Sequence, residues 1–196
     1  MSVAMLESCS MSTFDHSNLN IILVGPMGAG KTTVGKHIAK LLGKSFYDVD
    51  QELEKRTGVS VNLIFDIEKE QGFRVRETQM LQDLMHERNA VIATGGGIVV
   101  TEENRNILQE TGHLVVYLKT EVKHQLQRLK RDKQRPLLQG TGRRERLLNM
   151  ARMRNPLYES VAQLSFTSGR TNPHKMAVKV VNYVLEQNKE DEQSSQ

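Results

Sequence analysis

The chain has 196 residues, 38% hydrophobic and 26% charged, with 27 Lys+Arg against 23 Asp+Glu and a net charge of +4. That length fits one domain with a substantial core, and the composition is that of a soluble globular protein. No apolar run approaches the ~20 residues of a membrane span, and the single cysteine, Cys9, excludes an intrachain disulfide and suits a reducing cytoplasm.

Residues 1–18 lack a basic start followed by an apolar stretch, so the expectation is a disordered extension, not a secretory signal. Ile21 to Val24 then form a continuous apolar run, predicting a strand (20–24) buried on both faces. Gly25 to Thr32 follow as G-x-x-x-x-G-K-[ST], a phosphate-binding loop, and Val34, Ile38, Leu41 and Leu42 mark a helix over 31–42. Glycines at 25, 28 and 30 let successive amides converge on an anion, to which the helix N-terminus adds partial positive charge. Met27, Gly28, Ala29, Gly30, Lys31, Thr32 and Thr33 therefore make the expected triphosphate site. Lys31 would reach the terminal phosphates, and the Thr32 hydroxyl would ligate Mg²⁺.

A second strand (45–49) leaves through Asp48-Val49-Asp50. On extended chain these carboxylates project from one face, so Asp48 is assigned to the metal and Asp50 to a hydroxyl nucleophile. Asp50 could also N-cap the helix that follows. Helices are expected at 50–56, 60–70 and 72–87. On the last, Arg74 and Glu77 are neighbours; Arg74 could fork onto a small carboxylate, but alone the pair reads as a surface ion pair. The third strand (89–94) opens into Gly95-Gly96-Gly97, more glycine than a turn requires, and suited to close approach of a ligand. It carries no terminal acid, which leaves Asp48 for the metal.

A helix at 101–110, a strand at 113–118 and a helix at 121–133 come next. Residues 119–154 hold 12 Lys+Arg against 3 Asp+Glu, a local +9 that leaves −5 elsewhere. An anion clamp is favoured over a solvated face or a nucleic-acid patch, because only Tyr117 and Tyr158 offer rings in or beside the block. Gln134 to Arg143 has the composition of a lid (approximately 130–143) that closes over phosphates, with Arg135 stabilising the transferring phosphoryl group. The helix at 143–154 should break at Asn155, which precedes a proline, stranding Arg154 as an anion ligand before a helix at 156–163. A weak strand (164–168) and a helix over 173–187, opened by Asn172-Pro173, complete the domain, and 187–196 read as a disordered tail. Strands alternating with helices imply an α/β fold whose ligands sit beyond the carboxyl ends of a parallel sheet.

Together these stretches resemble shikimate kinase from about Asn20 to Leu185. The P-loop, Asp48/Asp50, Phe73–Glu77, Gly95–Gly97, Arg135–Leu138 and Arg154–Tyr158 occur in the order of that family's motifs. The resemblance implies a nucleoside-monophosphate-kinase-like sandwich with a five-stranded parallel sheet in the order 2-3-1-4-5. It also implies MgATP-dependent phosphorylation of the shikimate 3-hydroxyl in the chorismate pathway, by a cytoplasmic monomer with no nucleic-acid or membrane partner. Asp50, Arg74, Arg154 and the glycines Gly95–Gly97, Gly96 above all, would hold shikimate; Arg128, Arg135 and Arg170 would contact the nucleotide. An ordinary aspartate, with a pKa of ~3.9, is a poor base for an alcohol, so Asp50 is expected mainly to position the hydroxyl. A gluconate or adenylate kinase would not need Arg74, Gly95–Gly97 and Arg154 together. A GTPase reading of Asn188-Lys-Glu-Asp191 fails because that match lies in the polar tail and no D-x-x-G occurs.

Overall fold

A computed structural model describes residues 19–131, 142–169 and 171–194. The expectations placed on residues 1–18, on Arg135 with most of the lid, and on Arg170 lie outside the described residues. Five strands, β1 (Ile21–Val24), β2 (Ser45–Asp48), β3 (Ala90–Ala93), β4 (Leu114–Lys119) and β5 (Leu164–Thr167), form one sheet. Its order is β2-β3-β1-β4-β5 and every pairing is parallel, as expected.

The continuous apolar character of the central strands has a direct cause. Ile22 and Val24 face one side of the sheet, with Leu53, Phe73, Leu81, Leu108 and Tyr158 in the same core. Ile21 and Leu23 face the other, with Val34, Ile38, Met176 and Val180. Neither face meets water, so no polar alternation is possible. Each such side chain contributes roughly 1.5–3 kcal/mol by burial. Among the described residues, seven α-helices supply the covering layers: α1 (Lys31–Leu42), α2 (Val49–Thr57), α3 (Val61–Met85), α4 (Glu102–Glu110), α5 (Val122–Arg128), α6 (Arg143–Val161) and α7 (Pro173–Ser194). Helices α1 and α7 pack on the second face, and α1 approaches closely because a Cβ at Gly35 would lie 2.7 Å from the Phe46 ring. With all strands parallel, their carboxyl ends share one edge of the sheet.

Three expected boundaries are corrected. Helix α6 runs unbroken with Pro156 inside it. The loss of one backbone hydrogen bond there is offset by tertiary anchors on either side: Asn155 accepts from the Tyr117 hydroxyl at 3.2 Å, and Tyr158, fully buried, stacks on Tyr117 with ring centroids 5.0 Å apart. Helix α7 continues to Ser194, since residues 187–194 contain no glycine or proline and are rich in helix-forming Glu, Gln and Lys. The two helices expected at 60–70 and 72–87 are both present along α3, but the break between them falls at Lys69, at φ 60° and ψ −173°. A bidentate pair spans that break, with Arg76 Nε and Nη2 donating to Glu68 at 2.7 and 2.6 Å.

Positive φ in a long side chain stores strain of about 1–3 kcal/mol. Lys69→Gly should therefore raise the unfolding free energy by about 1 kcal/mol, after subtracting the extra chain entropy of glycine. Urea denaturation checks this; an unchanged midpoint would mean that Lys69 is unstrained.

Candidate active site

The site is built where β1, β2 and β3 end. Leaving β1, the chain turns at Gly25 (φ 143°), where a Cβ would meet the Leu118 carbonyl oxygen at 2.6 Å. It then passes through Gly28 and Gly30 at φ 77° and 93° and enters α1. Those left-handed conformations explain the glycines of the motif. Met27 and Ala29 are buried and Thr33 is exposed. Lys31, 8% exposed, curls back so that its ammonium donates to the carbonyls of Gly25 at 2.5 Å and Pro26 at 3.1 Å.

Thr32 and Asp48 meet as expected, the hydroxyl donating to Asp48 Oδ2 at 2.7 Å. Asp48 Oδ1 also accepts from the Gln51 amide at 3.4 Å and caps α2. The cap is therefore Asp48, and Asp50 lies in the first turn of the helix, so the expected extended i, i+2 pair is not the observed geometry. The helical turn re-aims Asp50 toward the glycine loop: a Cβ at Gly95 would lie 3.2 Å from Asp50 Oδ1 and 2.7 Å from Glu77 Oε1. Two carboxylates thus crowd one point of the backbone, which only glycine can occupy.

Arg74 and Glu77 are not a surface pair. Their side chains are 13% and 1% exposed, and Arg74 donates to Glu77 at 2.5 Å and to Glu70 at 3.0 Å. The Arg74 guanidinium also lies directly against Gly97, where a Cβ would collide with it. Arg74 Nε and Glu77 Oε1 are buried without hydrogen-bond partners, as suits a site awaiting a polar ligand. Burial raises the Glu77 pKa to about 7 despite Arg74 and Arg154, and Asp50 adds to the rise. For Arg74, burial would lower the pKa, but the Glu77 and Glu70 carboxylates outweigh it.

Arg154 reaches the same cluster from α6, donating to the Gly96 carbonyl at 3.2 Å, and the Tyr158 hydroxyl donates to that carbonyl at 2.5 Å. Burial pushes the Tyr158 phenol up, so it stays a donor at neutral pH. Gly96 in turn rests on the phosphate loop, since a Cβ there would lie 2.9 Å from the Met27 nitrogen. The Gly95–Gly97 loop and the Gly25–Thr32 loop are thereby in contact. In the sequence Tyr158 was a ring beside the basic block and the last letter of a motif; the structure stacks it on Tyr117 and directs its hydroxyl to the Gly96 carbonyl.

Arg128 lies beside the phosphate loop, but its donors are directed at backbone. It donates to the carbonyls of Gly28 at 2.7 Å, Ala29 at 3.2 Å, Ser168 at 2.9 Å and Gly169 at 2.6 Å. These four bonds engage Nη1 and Nη2, so a nucleotide contact from this residue would fall to Nε or to the face of the guanidinium plane. No group of three or more His, Cys, Asp or Glu that could hold a metal occurs among the described residues. Thr32 and Asp48 are nonetheless hard oxygen donors 2.7 Å apart, suited to an ion that arrives on phosphates and keeps several waters.

The raised pKa of Glu77 has a stability consequence with a definite sign. Relative to an unfolded value of 4.5, a folded value of about 7 contributes stability that is full below pH 4.5 and lost as pH rises through 7. The loss is on the order of 3 kcal/mol. In denaturation at pH 5 and pH 8, wild type should lose that much more stability than Glu77→Gln. Parallel losses would place the Glu77 pKa near its ordinary value.

A family model described as shikimate kinase matches residues 27–185. Curated shikimate kinases from Thioalkalivibrio sulfidiphilus and Shewanella sediminis are 48% and 49% identical to the chain. The first match covers 87% of this chain and 90% of the relative, the second 86% and 95%. A solved shikimate kinase from Acinetobacter baumannii, in complex with shikimate, superposes with a TM-score of 0.84 at 44% identity, covering 88% of this chain and 96% of that one. The chain belongs to the shikimate kinase family.

Proposed function

We propose that this site transfers the γ-phosphoryl group of ATP in line to the 3-hydroxyl of shikimate, giving shikimate 3-phosphate and ADP. The chain is a shikimate kinase by family, and the observation that carries the assignment of roles is the cluster of Asp50, Arg74 and Arg154 around Gly95–Gly97, in contact with the phosphate loop. Two guanidiniums on one side suit a carboxylate, and Asp50 on the other suits a hydroxyl. Gly95, Gly96 and Gly97 bring backbone within reach of the ring, because any side chain there would strike the cluster.

Lys31 leaves the loop carbonyls for the β- and γ-phosphates, which offer it a stronger charge-assisted partner. Thr32 and Asp48 would hold Mg²⁺, which screens the phosphate charge when bound. Asp50 accepts a hydrogen bond from the attacking hydroxyl and aims its lone pair at phosphorus, and the proton passes late to the Asp50 carboxylate, after a loose transition state in which ADP departs. Arg135 and Arg170 are assigned to the phosphoryl group and the nucleotide. Exclusion of water by the lid protects ATP from hydrolysis. The partners are then two small molecules, and we read the enzyme as a cytoplasmic monomer, supported by its single cysteine and by coverage of both sheet faces within one chain.

The test is ADP release with MgATP and shikimate, gluconate, AMP or no acceptor. ADP should appear only with shikimate. Turnover with gluconate or AMP would keep the fold and overturn the acceptor site.

A further inference from the structure

We propose that Ser168, just past the end of β5, is a positioning residue for the phosphate loop: its hydroxyl pins the Ala29 carbonyl and so aims the Gly30 amide toward the phosphates. The inference rests on the reading of residues 25–32 as the triphosphate site. Ser168 is 3% exposed, and its Oγ donates to the Ala29 carbonyl at 2.8 Å, 139 residues away along the chain. Arg128 Nη1 donates to the same oxygen at 3.2 Å.

A trans peptide is planar, so the Ala29 carbonyl and the Gly30 N–H point in opposite directions. Holding the oxygen on the β5 side therefore holds the amide on the other. That restraint is needed here because Gly30, at φ 93°, is a residue whose backbone rotates freely, and no side chain caps α1 at that position. The preceding plane is held similarly, with the Gly28 carbonyl taken by Arg128 and the Ala29 amide by the Pro26 carbonyl at 3.1 Å.

Ser168 is itself fixed. Its amide donates to the Lys119 carbonyl at 2.7 Å, and its carbonyl accepts from Thr120 Oγ1 and Arg128, each at 2.9 Å. Thr120 Oγ1 also lies 2.7 Å from Ser168 Oγ. With the Ser168 proton committed to Ala29, the single Thr120 hydroxyl proton is shared between the Ser168 carbonyl and hydroxyl oxygens. Buried Gln125 closes the network by donating to the Thr120 carbonyl at 3.2 Å. This is a preorganised donor array of the kind that makes phosphate binding strong without reorganisation. No sequence motif marks Ser168 or Thr120.

The experiment is calorimetric titration of the full chain with inorganic tripolyphosphate, with ADP and, separately, with shikimate. Losing one buried hydrogen bond that orients the nest should weaken tripolyphosphate and ADP about tenfold in Ser168→Ala. Shikimate affinity should not change, and Ser168→Thr, which keeps the hydroxyl, should restore phosphate binding. Tripolyphosphate binding unchanged in Ser168→Ala would overturn the brace, as would an equal loss of shikimate affinity, which marks a general structural defect. A wild-type chain that ignores tripolyphosphate would overturn the phosphate-site reading itself, and the brace with it.

Discussion

Asp50→Asn should lower kcat by about 10²–10⁴-fold, the range for loss of a group that handles the reacting proton. The substitution keeps the size of the side chain and one acceptor oxygen but removes the charge that orients the attacking hydroxyl. Because Asp50 sits at Gly95, which we assign to the acceptor side, the KM for ATP should stay within about twofold. Asp48→Asn should behave differently: Asp48 bonds Thr32 and caps α2, so its loss raises the ATP KM and costs about 1 kcal/mol of stability. Steady-state kinetics of both variants separate the roles. Equal effects on both substrates in Asp50→Asn would remove it from the acceptor side.

The second large effect concerns the paired guanidiniums. Arg74→Lys and Arg154→Lys should each raise the KM for shikimate about 100-fold, since a lysine cannot fork onto a carboxylate and keep its neighbours. Their stabilities should part company. Arg74 is the partner of a carboxylate that is 1% exposed, and weakening that pair costs on the order of 2–3 kcal/mol. Arg154 donates to a backbone carbonyl, so Arg154→Lys should unfold within about 0.5–1.5 kcal/mol of wild type. Kinetics combined with denaturation of both variants checks the contrast. A normal shikimate KM in either would exclude that residue from the carboxylate site.

The arrangement around Glu77 also explains why the cluster is built from charges that nearly cancel. Two buried or half-buried arginines without carboxylates would repel each other and bear a large desolvation cost. Glu70 and Glu77 pair with Arg74 at 3.0 and 2.5 Å, and Asp50 adds negative charge beside Glu77, so the guanidinium is held largely buried and aligned.

The sequence by itself determined the sheet and the phosphate loop. Runs such as Ile21–Val24 and Ala90–Ala93 are apolar on both faces because both faces are covered, and glycines at 25, 28 and 30 stand where positive φ demands them. These are local requirements, legible from one stretch of chain. The motifs also named Asp50, Arg74 and Arg154, but not their surroundings. Burial depends on what packs from elsewhere, so Arg74 and Glu77 read as a surface pair until α3 is laid against Gly95–Gly97. A proline predicts a break until Tyr117 and Tyr158 anchor the helix around it. The cap could be read onto Asp50 until the strand ended at Asp48, leaving Asp48 to cap and Asp50 to turn toward Gly95. The brace at Ser168 was invisible for the same reason. Its partner is 139 residues away, and only the adjacency of β1, β4 and β5 at one sheet edge brings a lone hydroxyl to the carbonyl that it holds.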